Sequence, residues 1–151
     1  QSYDRHVIGL DYDEEKVLLA ANSHYEVGNI EFSQADLTQF QPEEASCFII
    51  KDVLHYFPAA EQEELLKRCG EKLNTGGTII IRDGIEDEKK KHGVTKMTEV
   101  FSTKVFGFNK TEHELEFLPE ERVVSFAKKF NLELERLENK SSSNVTFVLR
   151  K

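Results

Sequence analysis

Apolar and polar positions alternate in short blocks along the first half of the chain. Val7, Ile8 and Leu10 form an apolar run that Asp11 and Asp13 close, so residues 6–11 predict a strand. Asp13 then stands as an N-cap before Glu14 and Glu15. Val17, Leu18 and Ala21 share one face of the helix predicted to about residue 22. "IEFSQA", residues 30–35, predicts a second strand. "SCFIIK", residues 46–51, predicts a third, apolar enough to be buried on both faces. From Ala59 to Leu73 the period becomes helical, with Leu65, Leu66, Cys69 and Leu73 inward and Gly76-Gly77 as the stop. "TIIIRD", residues 78–83, is a fourth strand. This strand–helix rhythm implies a parallel sheet covered by helices.

The second half changes character. "EDEKKKHG", residues 86–93, is a solvated charge run and reads as a mobile connection. Val94, Met97, Phe101, Val105 and Phe108 recur every three or four residues and predict an amphipathic helix. Pro119 opens a further helix with Val123, Phe126, Ala127 and Phe130 inward. Leu132 and Leu134, then Val145, Phe147 and Leu149, alternate as two strands, with the turn-rich "NKSSSN" of residues 139–144 between them. The expected architecture is a mostly parallel α/β sheet closed by an antiparallel pair.

Composition narrows the function. The 151 residues read as one domain, large enough for a real core. A net charge of -8 argues against a nucleic-acid surface, which needs clustered Lys and Arg. No apolar run approaches the ~18 residues of a membrane span, and no stretch reads as a signal peptide. Cys47 and Cys69 lack CxxC spacing and lie in apolar surroundings, so both are expected as buried free thiols in a reducing, cytoplasmic setting. No metal-ligand spacing stands out, and no metal is expected.

The chemistry is concentrated at strand ends. In an open α/β sheet, ligands bind outside the carboxyl ends of the strands. Asp11 at such an end can accept two hydrogen bonds from a ribose diol, strengthened by its charge. Tyr12 can lay its ring against a purine. Asp36, after the second strand, can accept from an exocyclic amine while the N–H of Leu37 serves a ring nitrogen. Simpler roles fit too: a helix cap for Asp11 or Asp13, and a turn-forming Asx residue for Asp36. Taken singly, Asp11 favours the cap and Asp36 is even between the two roles; two acids at the ends of consecutive strands make the adenosine reading stronger than either acid does alone.

The series "VIGLDYD", "IEFSQADL", "KDVLHYFP" and "LNTGGTIIIRD" resembles the class I S-adenosylmethionine-dependent methyltransferases, over essentially the whole chain. The resemblance implies a Rossmann-like methyltransferase sheet. It places Asp11 on the cofactor's ribose and Asp36 on its adenine. Lys51, Asp52 and His55 match the turn that borders the methionyl end and the methyl group. "LNTGG" matches the turn before the fifth strand of the family, with Thr75 where proline is common. The family's first strand and glycine-rich loop are not matched, because Gly9 stands alone inside a strand. The chain is therefore expected to be N-terminally truncated relative to the family, the later part of a longer protein. "GFNK", residues 107–110, and the closing "FVLRK" are similar to methyltransferase domains fused behind lipid-type exporter or acyltransferase modules, so the parent could be membrane-anchored.

That missing strand normally sits between the strands ending at Asp11 and at Lys51. Two strands facing a gap would leave unpaired backbone groups, each costing about 1–3 kcal/mol. Direct pairing of "SCFIIK" with "HVIGLD", or a homodimer in which a second copy supplies the edge, is expected to close it. Residues 1–151 alone are expected to bind S-adenosylmethionine weakly or not at all, and to lack activity.

The expected reaction is methyl transfer to a small apolar or lipid-like acceptor, with residues 84–118 as a substrate lid. Proximity supplies most of such a rate, and an oxygen or nitrogen acceptor also calls for a base. His55 and Asp52 are the candidates. His55 also suits a role packing or orienting its turn. His92 and His113 lie in the lid region, and an exposed histidine there is usually only solvated. Asp83 faces the same cleft mouth or caps a helix. A nicotinamide-dependent short-chain dehydrogenase is the alternative, but it needs a Tyr-x-x-x-Lys pair late in the chain. Tyr12 and Lys16 have the spacing and come too early. An Asp-x-Asp phosphatase, from "GLDYDEE", lacks the Thr or Val usual after its second acid. A non-catalytic binding remnant is the last alternative.

Overall fold

The structure, a computed structural model, describes residues 5–24, 28–84, 116–137 and 144–151. The amphipathic helix of residues 94–108, the charge run, "GFNK", His92, His113 and most of the 139–144 turn lie outside the described residues. The chain divides into two compact units, residues 1–41 and 42–151.

The first unit holds strand β1 (Val7–Asp11), helix α1 (Glu14–Ser23) and strand β2 (Ile30–Gln34). β1 and β2 are parallel, with Val7 opposite Ile30 and Asp11 opposite Gln34. The helix begins where its acids require it. Asp13 accepts from the N–H groups of Glu15 at 2.9 Å and Lys16 at 3.4 Å, and Glu14 and Glu15 sit in the positive first turn. Val17, Ala20 and Ala21 are the half-buried positions of α1, whereas Leu18 is 55% exposed. The expected Val17–Leu18–Ala21 face is therefore corrected to 17, 20 and 21, because the inward arc follows i, i+3, i+4.

The second unit holds strand β3 (Ala45–Lys51), a 3-10 turn (Leu54–Tyr56), helix α2 (Ala59–Lys72), strand β4 (Leu73–Gly84), helix α3 (Glu120–Lys129), and strands β5 (Glu133–Leu137) and β6 (Asn144–Arg150). Its sheet has the order β3-β4-β6-β5. β3 and β4 are parallel, and β6 lies antiparallel between β4 and β5. The closing antiparallel pair is as expected. The core is here. Leu65, Leu66 and Cys69 of α2, Ile79 and Ile81 of β4, Val123, Phe126 and Ala127 of α3, and Val145, Phe147 and Leu149 of β6 belong to the buried set. Both stripes of α2 and α3 fall as their periodicity demands, with Phe130 half-buried at the end of α3.

Three expectations are corrected. β3 is not buried on both faces: Ile50 is buried, but Ile49 is 68% exposed. Among the described residues β3 is hydrogen-bonded on one side only, to β4, and β1 only to β2. Cys47 is exposed for the same edge-strand reason, while Cys69 is buried as expected. Finally, α2 stops at Lys72 rather than at the glycines. Leu73 turns extended and pairs with Ala45, so β4 begins five residues before Thr78. Gly76, at φ 75°, serves the bend that follows.

Candidate functional site

In the first unit two acids stand at the carboxyl ends of adjacent parallel strands. Asp11 closes β1, and its carbonyl accepts from Ala35 N–H at 3.0 Å, which leads the chain to Asp36 just beyond β2. Each carboxylate spends one oxygen locally. Asp11 Oδ1 accepts from Asp13 N–H at 2.9 Å. Asp36 Oδ1 accepts from Thr38 N–H at 2.9 Å and Thr38 Oγ1–H at 2.8 Å, the Asx turn read as its simpler role. The described residues give neither Oδ2 a hydrogen bond. Two strand-end carboxylates, each with an oxygen in hand, fit the hydroxyl and amine donors of an adenosine. The Tyr12 ring is 62% exposed while its carbonyl is fixed by Gln34 Nε2 at 2.9 Å. Leu37 is half-buried in the turn after Asp36. Gly9, Leu10, Asp11, Lys16, Val17, Ala20 and Phe32 line a cavity of about 230 Å³ beside Asp11.

In the second unit β3 ends at exposed Lys51. Asp52 follows with φ 53°, a left-handed conformation that a short polar side chain tolerates. Its carboxylate is taken up structurally. Oδ2 is paired with Arg82, and Oδ1 accepts from Asn144 Nδ2 at 2.8 Å. The chain then makes the 3-10 turn that carries His55, which is 3% exposed.

Asp83 holds that turn. Its Oδ2 accepts from Leu54 N–H at 2.9 Å and from His55 N–H at 3.4 Å. Its Oδ1 lies 2.5 Å from His55 Nδ1 and accepts Gly84 N–H at 2.7 Å. A buried carboxylate is costly unless such donors surround it. A carboxylate on Nδ1 also fixes the Nδ1–H tautomer, so the imidazole lone pair sits on Nε2. Tyr56 packs on the imidazole at 4.1 Å between ring centroids, and Phe117 stacks on it at 5.6 Å and 12°. Asp83 is thus a site residue that the strand-end reasoning weighed only as a cleft-mouth acid or helix cap. The signal was present. Asp83 stands in phase with Ile79 and Ile81, so the period of β4 turns it inward.

Neither thiol carries an activated environment. Burial pushes the Cys69 thiol up to about 11 against a small opposing effect of Arg68, and burial raises Cys47 as well. Among the described residues no group of three or more His, Cys, Asp or Glu side chains is placed to hold a metal. No described helix is long and apolar enough to cross a membrane.

A family profile described as an O-methyltransferase domain matches residues 5–122, well over half of the chain. The chain belongs to that family. The family is one of S-adenosylmethionine-dependent methyltransferases, and the α/β expectation stands. This O-methyltransferase domain has no match among curated protein sequences.

Solved structures share its fold at low identity. An O-methyltransferase family protein from Burkholderia thailandensis superposes with a TM-score of 0.71 at 17% identity, over 97% of this chain and 51% of its own. A Planctomyces limnophilus O-methyltransferase family 2 protein in complex with apigenin gives 0.69 at 17%, over 97% and 42%. Human N-acetylserotonin methyltransferase in complex with S-adenosylmethionine gives 0.67 at 18%, over 97% and 40%. The chain spans about half or less of the length of these proteins. The comparisons give no support to the nicotinamide-dependent alternative.

Proposed function

We propose that the protein transfers a methyl group from S-adenosylmethionine to a hydroxyl of a small apolar or aromatic acceptor. The observation that carries this reading is the buried 2.5 Å contact between His55 Nδ1 and Asp83 Oδ1, in a chain of an O-methyltransferase family. When bound, the cofactor supplies an electrophilic methyl and leaves as a neutral sulfide. Asp11 would accept from its ribose hydroxyls. Asp36 and the Leu37 N–H would read its adenine, Tyr12 would lie against the base, and Lys51 would border the methionyl end. His55 takes the acceptor's hydroxyl proton at Nε2, and Asp83 stabilises the imidazolium that results. Asp52 is assigned to holding the turn through Arg82 and Asn144.

The apolar recurrence of Val94, Met97, Phe101, Val105 and Phe108 supports an apolar acceptor. So does the apigenin held by the Planctomyces relative. Among the described residues β1 and β3 are each paired on one side only, which supports association with a further strand, for which a second copy of the chain is one source. Two unpaired cysteines support a reducing compartment.

A second reading has its own support. Asp83 also accepts two backbone N–H groups of the turn, as a purely structural pin would. His55→Gln in the intact protein separates the two. A lost base lowers kcat on the order of 10²–10⁴-fold with cofactor affinity unchanged. An unchanged kcat with lowered stability leaves only the pin.

A further inference from the structure

The inward stripe of α2 contains an amide. Gln62 stands three residues before Leu65, four before Leu66 and seven before Cys69, and it is 0% exposed. A buried amide is unfavourable unless its donors and its acceptor are all used. They are used here. Gln62 Nε2 donates toward three carbonyls, Leu54 O at 3.1 Å, Phe57 O at 2.9 Å and Glu116 O at 2.7 Å. Its Oε1 accepts from Arg122 Nη1 at 3.0 Å. Two amide protons therefore serve three carbonyls, so at least one is shared.

The carbonyls are not a random set. Leu54 and Phe57 bracket His55 in the chain. The N–H of Glu116 donates to His55 O at 3.0 Å, and Phe117 is the ring stacked on the imidazole. A 3-10 turn of three residues has poor hydrogen-bond geometry of its own, so outside ties decide its position. Asp83 takes the N–H groups of Leu54 and His55, and Gln62 takes the carbonyls of Leu54 and Phe57.

We propose that Gln62 is a positioning residue for His55. By fixing the carbonyls on both sides of the turn it keeps the imidazole on Asp83, and so keeps Nε2 where a base has to be. The catalytic consequence rests on His55 taking the acceptor's proton, as proposed above; the positioning does not. Gln62→Met conserves volume and removes donor and acceptor together. Gln62→Glu keeps an acceptor for Arg122 but turns a carboxylate oxygen toward three carbonyl oxygens.

The test is proton–nitrogen NMR of the intact protein beside its kinetics. In the wild type, the Gln62 side-chain amide protons should be protected from solvent exchange and should shift when His55 is replaced by Gln. Exchange at the rate of an exposed amide, or no shift, overturns the proposal without any Gln62 variant having to fold. In Gln62→Met and Gln62→Glu, the downfield His55 Nδ1–H signal should move or vanish. kcat should fall on the order of 10²-fold, the effect of a ~1 Å misplacement, with the dissociation constant for S-adenosylmethionine within about twofold. An unchanged Nδ1–H signal in a folded variant overturns the positioning. A displaced signal with unchanged kcat upholds the positioning and instead removes His55 from the chemistry.

Discussion

Asp11 and Asp36 show how one side chain can satisfy a turn and still keep an acceptor oxygen for a ligand. Each gives Oδ1 to a nearby backbone N–H and keeps Oδ2 outside any hydrogen bond from the described residues. Removing a charged hydrogen bond in a partly buried site costs about 1.5–3 kcal/mol, roughly ten- to a hundredfold in affinity. Calorimetric titration of Asp11→Ala and Asp36→Ala in the intact protein should therefore show S-adenosylmethionine binding weakened by that factor. Unchanged affinity in both would sink the adenosine assignment. Cys69 gives a prediction in pH. Its thiol sits near 11 when folded against an ordinary 9.0, so the unfolded chain releases its proton first. Stability is thus fully present below pH 9 and lost as pH rises toward 11, by about 3 kcal/mol at most. Cys69→Ala should flatten that alkaline decline in urea-midpoint measurements. At this scale the placement of Asp11 and Asp36 at strand ends is legible because each acid follows an apolar run, and the Asx-turn role read for Asp36 is present as well. Asp83 is legible as an acid at a strand end, but its pairing with His55 is not, and Gln62 is not singled out, because only its phase with the apolar stripe marks it as buried.

At the scale of elements, the turn after β3 is held by its surroundings more than by itself. Gly84, at the end of β4, is part of that support. A Cβ there would meet the Phe117 ring at 2.9 Å, the same ring that stacks on His55. Gly84→Ala should therefore cost about 1–3 kcal/mol by overpacking and should disturb His55 without touching it. A denaturant midpoint identical to wild type would mean that Phe117 moves aside freely. Helices α2 and α3 were legible from their stripes, and Pro119 marked the start of α3 correctly. β3 was not. An apolar run such as "SCFIIK" looks the same whether one or two neighbours flank the strand, and only pairing decides that Ile49 is exposed. The end of α2 was misplaced for a related reason. Leu73 continues the helical stripe yet belongs to β4, because pairing with Ala45 outweighs a weak preference for another helical turn.

The whole molecule divides its burial unevenly between the two units. Every side chain in the buried core belongs to residues 42–151, and no described residue of 5–41 falls in the buried class. Among the described residues the first unit is a two-stranded parallel ladder with one helix and no buried side chain. The second has, among the described residues, four paired strands and two helices around one apolar core. Local opening costs least where few apolar contacts must be broken. Hydrogen exchange on residues 1–151 should accordingly find the slowest amides at Ile79 and Ile81 of β4 and Phe147 and Leu149 of β6. The amides of β1 and β2, hydrogen-bonded as they are, should exchange far sooner. Because Asp11 and Asp36 both stand on that weaker unit, adenosine binding would have to supply much of its order. Adding S-adenosylmethionine to the intact protein should then slow exchange at Ile30–Gln34 more than at β4. Equal protection of β1, β2, β4 and β6 without cofactor would show the units opening together, and would remove the coupling between binding and order.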